Sequence, residues 1–381
     1  MRRVLAVVVG VVVVGLVAVL TAVLVGRGDA SQDVARPAEQ RPPRGLVLRG
    51  DDAATAVEGE DYVVLRQVPG RIGYQAEVLL PDGALVLQER FRTGPDFRDL
   101  PDLVRVWRPG TGDSIRLPTP WGPRARLHLT ATGTDHVWVS WNERRGGRWV
   151  RSALRLDRRT GDTTTYVAPR VPRARSPHLM GVMRPGGDGR LYFMTGDQPC
   201  VPYDCPRVDR RELWSFEPGR AGSLRQEGEG ATEFAVSDRL LAYAVYDGES
   251  SVVRVRRLDG DRVHEARLRE CPLATDDVEP SVLAGDDVVL AGCGVVLDDR
   301  ARVLARLELT DHDLRGVSDR RWVAYGRTVY DAASGRLLRV ADERRWEDRA
   351  VLMQGDQVLF PSGTTPPSTT RGTWTLARLA G

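Results

Sequence analysis

The sequence predicts an all-β chain: a seven-bladed β-propeller, with six blades as the alternative, preceded by one N-terminal transmembrane helix. Three observations predict it. An unbroken apolar run fills residues 4–26. After residue 58, a short apolar strand, a tight turn containing Asp and an alternating strand recur seven times. No stretch beyond residue 26 carries the ~3.6-residue apolar period of an amphipathic helix.

The composition narrows the class. With 55 basic and 52 acidic residues the net charge is only +3, which gives no reason to expect a nucleic-acid partner. Charged residues at 28% and apolar residues at 41% exclude a polytopic membrane protein and a fully disordered chain. There is no Lys, one Asn (Asn142) and two Ile (Ile72, Ile115), the codon bias of a GC-rich, bacterial genome. The abundance of Arg therefore reflects codon usage before chemistry.

Taken in order, Arg2 and Arg3 precede the apolar run. Residues 4–26 would span about 34 Å as a helix rising ~1.5 Å per residue, enough for a hydrocarbon core of ~30 Å. A cleavable signal has an apolar region of about 7–15 residues, and Gly28-Asp29-Ala30 is a poor cleavage site, so the run is expected to be an uncleaved anchor. The positive charge on residues 1–3 makes them a cytoplasmic tail, which places residues 27–381 outside the cytoplasm of a single-pass cell-membrane protein. Ala6, Gly10, Ala18, Ala22 and Gly26 form a ridge of small residues, suited to weak self-association through the anchor. Residues 27–58, with Pro37, Pro42 and Pro43, read as an extended linker. Residues 59–381 are the propeller ectodomain.

Within the ectodomain the recurring turns are Pro81-Asp82-Gly83, Thr134-Asp135, Asp188-Gly189, Ser237-Asp238, Gly285-Asp286, Ser318-Asp319 and Gly355-Asp356. Asp and Gly suit such turns because they tolerate φ > 0 or bond their own backbone. A second hairpin follows in most units, as in Leu103–Trp107 with Ser114–Leu117 and Val252–Leu258 with Arg262–Leu268. Two hairpins make a four-stranded unit of about 46 residues, the size of a propeller blade. Trp138, Tyr192, Trp214, Tyr243 and Trp322 fall at strand positions and are expected to pack between blades.

The stretch Met183–Gly219 (MRPGGDGRLYFMTG…ELWSFEPG) is similar to the TolB-like and WD40-like propeller repeat, in which a Pro-Asp-Gly-type turn precedes an aromatic-rich strand. The resemblance extends over residues 59–381 and implies a fold, not a ligand. The Trp-Asp signature of true WD40 repeats is absent.

The last unit has only three strands, Ala350–Met353, Gln357–Phe360 and Thr373–Leu379, whereas Asp61–Val68 has no partner of its own. It is expected to supply the missing outer strand and close the ring. The long connections Arg92–Asp102, Gly196–Arg211 and Pro361–Gly372 then fall on one face, with Pro118–Ala125 and Pro169–Pro177. Long loops on a rigid ring are where binding resides.

Cys200, Cys205, Cys271 and Cys293 reach the same face. An even count outside the cytoplasm predicts disulfides, paired Cys200–Cys205 and Cys271–Cys293. Trp121, in a Pro/Gly loop on that face, is expected to stand exposed as a stacking platform. Arg170, Arg173 and Arg175, spaced by Pro, form a basic cluster able to fork onto phosphate or carboxylate. No GxSxG, P-loop, GxGxxG or calcium-loop spacing occurs, so no catalytic residue, cofactor or metal is assigned. The expected function is a non-enzymatic, membrane-tethered binding module of the cell envelope, its partner an envelope protein or an anionic wall polymer. The alternative is a propeller hydrolase or lyase with its site at the central channel mouth.

Overall fold

A computed structural model describes residues 46–49, 53–69, 74–89, 100–123, 125, 127–145, 148–171, 179–195, 211–246, 251–268, 282–291, 294–308, 317–319, 321–325, 328–340, 351–362 and 373–380. They form seven antiparallel sheets. Strands a to d of blade 1 are Tyr74–Leu79, Leu85–Glu89, Val104–Trp107 and Ser114–Arg116. Blade 2 is Leu127–Thr132, His136–Arg145, Arg148–Asp157 and Thr163–Val167. Blade 3 is Leu179–Pro185, Leu191–Thr195, Glu212–Phe216 and Arg225–Glu229. Blade 4 is Ala231–Val236, Leu240–Tyr246, Ser251–Arg257 and Val263–Leu268. Blade 5 is Val282–Ala284, Val288–Ala291, Val295–Asp298 and Val303–Glu308, and blade 6 is Val317–Asp319, Trp322–Tyr325, Thr328–Asp331 and Leu337–Arg339. Blade 7 takes Leu352–Gln354, Gln357–Ser362 and Thr373–Leu379 from the end of the chain and Tyr62–Pro69 from its beginning.

Consecutive inner strands touch one another around the whole circuit, from blade 1 to blade 7 and back. The ring is therefore seven-bladed, and the six-bladed alternative falls. Its closure is the expected one: Tyr62 pairs with Leu379 and Pro69 with Thr373, antiparallel.

Each interface between neighbouring blades holds one apolar cluster, seven in all among the described residues. Alternation along each strand sends successive side chains to opposite faces of its sheet, so each blade supplies both of its interfaces. Trp138, Tyr192, Tyr243 and Trp322 are buried there as expected. Blades 3 and 4 add a buried polar seam. Arg256 donates to Glu227 at 2.8 Å, and Ser215 to the other oxygen of Glu227 at 2.5 Å. Arg190 then donates to Ser215 at 2.8 Å.

One expectation needs correction. Part of the segment assigned as linker is sheet. Strand β1 (Leu46–Arg49) pairs in parallel with strand d of blade 5, and β2 (Ala54–Thr55) with strand d of blade 6. The reason is the open outer edge of each blade, whose unpaired backbone groups the segment satisfies. Leu48 and Ala53 pack on the cluster between blades 5 and 6. With Tyr62–Pro69 the segment becomes a strap over three consecutive blades. Asp61 fastens it. That carboxylate, 7% exposed, accepts from Val57 N at 3.0 Å and from Arg336 Nη2 at 2.9 Å, while the Asp61 carbonyl accepts from Ala380 N at 2.8 Å.

Strand a runs from the long-loop face to the tight-turn face, and strand d runs the other way. Being parallel to strand d, β1 starts at the tight-turn face.

Candidate functional site

Every inner strand borders the ring axis, and several carry an ionisable residue inside an apolar run: Glu77 in blade 1, His128 in blade 2, Arg184 in blade 3 and Glu233 in blade 4. At the tight-turn end the axis opens into a cavity of about 190 Å³, lined among others by Glu77, Thr130, Ser237, Asp238, Asp286 and Gln354. Much of this polarity holds turns together. Asp238 accepts from Gly133 N at 2.9 Å, and Ser237 caps its own turn by accepting from Leu240 N at 2.9 Å. Gly187 lets the blade 4 turn lie against blade 3, since a Cβ there would stand 2.1 Å from the Asp238 carbonyl oxygen.

Farther along the axis the wall is basic. The blade 3 inner strand breaks register between Met180 and Arg184, and such bulges re-aim the side chains after them. The Arg184 guanidinium lies over the Phe234 ring, 5.3 Å from its centroid. The blade 4 inner strand is itself bulged between Ala231 and Glu233, and this frees the Thr232 carbonyl to accept from Arg211 Nη1 at 3.0 Å. Burial lowers the Arg184 and Arg211 pKa values, and the Glu233 charge opposes the shift in both. His128 is pushed down to about 3, first by burial and then by the Arg184 charge, so its ring is neutral at ordinary pH. On strand c of blade 2 Arg151, 1% exposed, donates to the Met194 carbonyl, and burial lowers its pKa to about 9.

The residues singled out from sequence have mixed fates. Trp121 is a correction: it is 2% exposed rather than offered to a ligand. Its loop tucks back between blades 1 and 2, where the indole donates to the Asp102 carbonyl at 2.9 Å and packs edge-on to Trp141 at 5.6 Å. Arg170 is exposed just past strand d of blade 2, beside the buried Val171. Arg173 and Arg175 lie outside the described residues, as do Cys200, Cys205, Cys271, Cys293 and the apolar run 4–26. Among the described residues no helix is long and apolar enough to cross a membrane, and no group of His, Cys, Asp and Glu is arranged to hold a metal.

No protein-family model matches the chain, and no curated protein matches it in sequence. Solved structures similar to it include the β-propeller domain of the Trilobed protease from Pyrococcus furiosus, at 12% identity over 81% of this chain and 82% of that one, with TM-score 0.41. An acylaminoacyl peptidase aligns at 8% identity over 79% of this chain and 49% of its own, with TM-score 0.45. TolB from Acinetobacter baumannii aligns at 9% identity over 80% and 54%, with TM-score 0.35. The chain thus spans about half the length of the last two. The TolB-like resemblance of the repeat concerns the fold alone. The ring itself is established by the sheet order of this chain.

Sequence reasoning missed His128, Arg184, Arg211 and Glu233. Their only linear signal is a polar residue interrupting, or just flanking, a strand. That they share one neighbourhood follows from the packing of blades 2, 3 and 4 against one another.

Proposed function

We propose that the chain is a non-enzymatic, membrane-tethered, extracytoplasmic binding module of the bacterial cell envelope, which presents its long-loop face to a partner protein or an anionic wall polymer. The path of residues 46–69 carries this reading. The strap starts at the tight-turn face, the face opposite the long connections. The ring behind the long-loop face is closed and tightly packed, a rigid scaffold of the kind that carries binding loops.

The test is retention of the full-length chain on isolated cell-envelope material. Changing Arg170, Arg173 and Arg175 together to Gln should weaken retention at low salt, and rising salt should abolish the difference once screening exceeds that of ~0.1 M, where the Debye length is about 10 Å. The melting temperature should hardly move, since an exposed loop contributes little. Arg336 is no neutral control, because it pairs with Asp61. The exposed Arg262 serves instead. Equal retention of wild type and triple variant at both salt levels removes the anionic polymer and leaves a protein partner.

A further inference from the structure

The polar groups of the channel wall are not used alike. At the tight-turn mouth Asp238 and Ser237 are occupied in holding turns, and Arg211 is held by the Thr232 carbonyl. Arg184 is different. Its Nε is buried and meets no acceptor. Its contacts are the Phe234 ring and the nearby charges of Glu233 and His128's strand. Protein encloses it, yet the side chain keeps accessible area, as expected for a group in a channel wall.

A guanidinium brings five donors in a rigid planar fork and can neither accept nor lose a proton at ordinary pH. Taking it out of water without an acceptor is costly, so such groups are normally paired. Glu233 is the one carboxylate whose charge acts on both Arg184 and Arg211, and His128 is neutral. The orphaned Nε of Arg184 leaves its fork open to a partner from outside the chain. The complement is one negative charge with two adjacent oxygens.

We propose that the axial channel is an anion receptor in which Arg184, seconded by Arg211, binds a carboxylate or phosphate group carried by a ligand that enters along the ring axis. The Glu233 charge acts on both guanidinium groups, and the neutral His128 ring can donate one further hydrogen bond. This site is separate from the loop cluster at Arg170 and stands whether or not the chain binds the cell envelope.

The experiment is calorimetric titration of the full-length chain in mild detergent with inorganic phosphate and, separately, with acetate, at constant ionic strength. Saturable binding of at least one anion is expected. Arg184→Gln should weaken it at least about tenfold, the loss of one charged hydrogen-bonding partner. Arg184→Lys, which keeps the charge and loses the fork, should fall between the two, and Arg262→Gln should match wild type. Tighter phosphate than acetate points to a phosphorylated ligand, and the reverse to a carboxylate. If Arg184→Gln does not fold, Arg184→Lys decides, since unchanged affinity there contradicts a forked contact. Equal affinity in wild type and Arg184→Gln, or no saturable binding of either anion, overturns the proposal.

Discussion

The blade interfaces and the axial channel are built from the same inner strands, and they differ in what those strands contribute. In Leu127–Thr132, Leu129 is buried against blade 1 while its neighbour His128 sits within range of Arg184. In Ala231–Val236, Ala235 joins the cluster toward blade 5 while Glu233 faces the charges of Arg184 and Arg211. One residue of each pair removes apolar surface from water and stabilises the ring. The other places a polar or charged group on the inner strand, in exchange for little stability. The difference teaches that the interfaces hold the ring together and the channel wall is available for recognition. Damage to the first should appear in the melting temperature, and damage to the second in binding.

The largest effect expected on the interface side is at Trp121. Trp121→Ala removes a buried indole, its hydrogen bond to Asp102 and its edge contact with Trp141. A cost of about 3–5 kcal/mol is expected in chemical denaturation. A loss below ~1 kcal/mol would return this side chain to the surface.

Asp61→Ala comes next. It leaves Val57 N and Arg336 without their shared acceptor and loosens the strap, for a cost of about 1–3 kcal/mol. Hydrogen exchange should accelerate in residues 54–69 before it does in blades 2 to 4, whose outer edges the strap does not cover. Uniform acceleration would mean that the strap has no separate role.

The pH dependence on the channel side is smaller and has a definite sign. An unfolded imidazole titrates near ~6.5, whereas His128 in the fold is held at about 3. As pH falls below ~6.5 the unfolded chain takes up a proton that the folded chain refuses. The contribution is thus full above that pH and is lost progressively as pH drops toward 3. Thermal melts between pH 7 and pH 4.5 should show His128→Gln losing less stability than wild type. Parallel profiles would mean that His128 is protonated in the folded chain.

The seven-blade ring was legible because its signals are local. Asp-Gly turns and two-residue alternation lie next to the strands they define, and closure by Asp61–Val68 followed from one missing strand. The strap was not legible. β1 has four residues and β2 two, and their parallel pairing depends on Ala305 and Leu338, far away in sequence. Trp121 misled because a Trp between Pro120 and Gly122 looks exposed. What buries it is a remote backbone carbonyl and a remote ring. The channel residues were visible as interruptions in apolar strands, but their meeting depends on how blades 2, 3 and 4 pack, which no single strand shows.

The central claim is that the channel wall keeps Arg184 for recognition and not for stability, and Arg184→Met tests it most directly. The substitution replaces a desolvated guanidinium whose Nε lacks an acceptor with an apolar chain of similar length, and Glu233 keeps Arg211 nearby. Replacing buried charge in this way is often neutral or stabilising. The melting temperature of the full-length variant should therefore equal or exceed that of wild type. A fall of more than about 3 °C, roughly 2 kcal/mol for a domain of this size, would show that Arg184 stabilises the ring and would contradict the division between interface and channel.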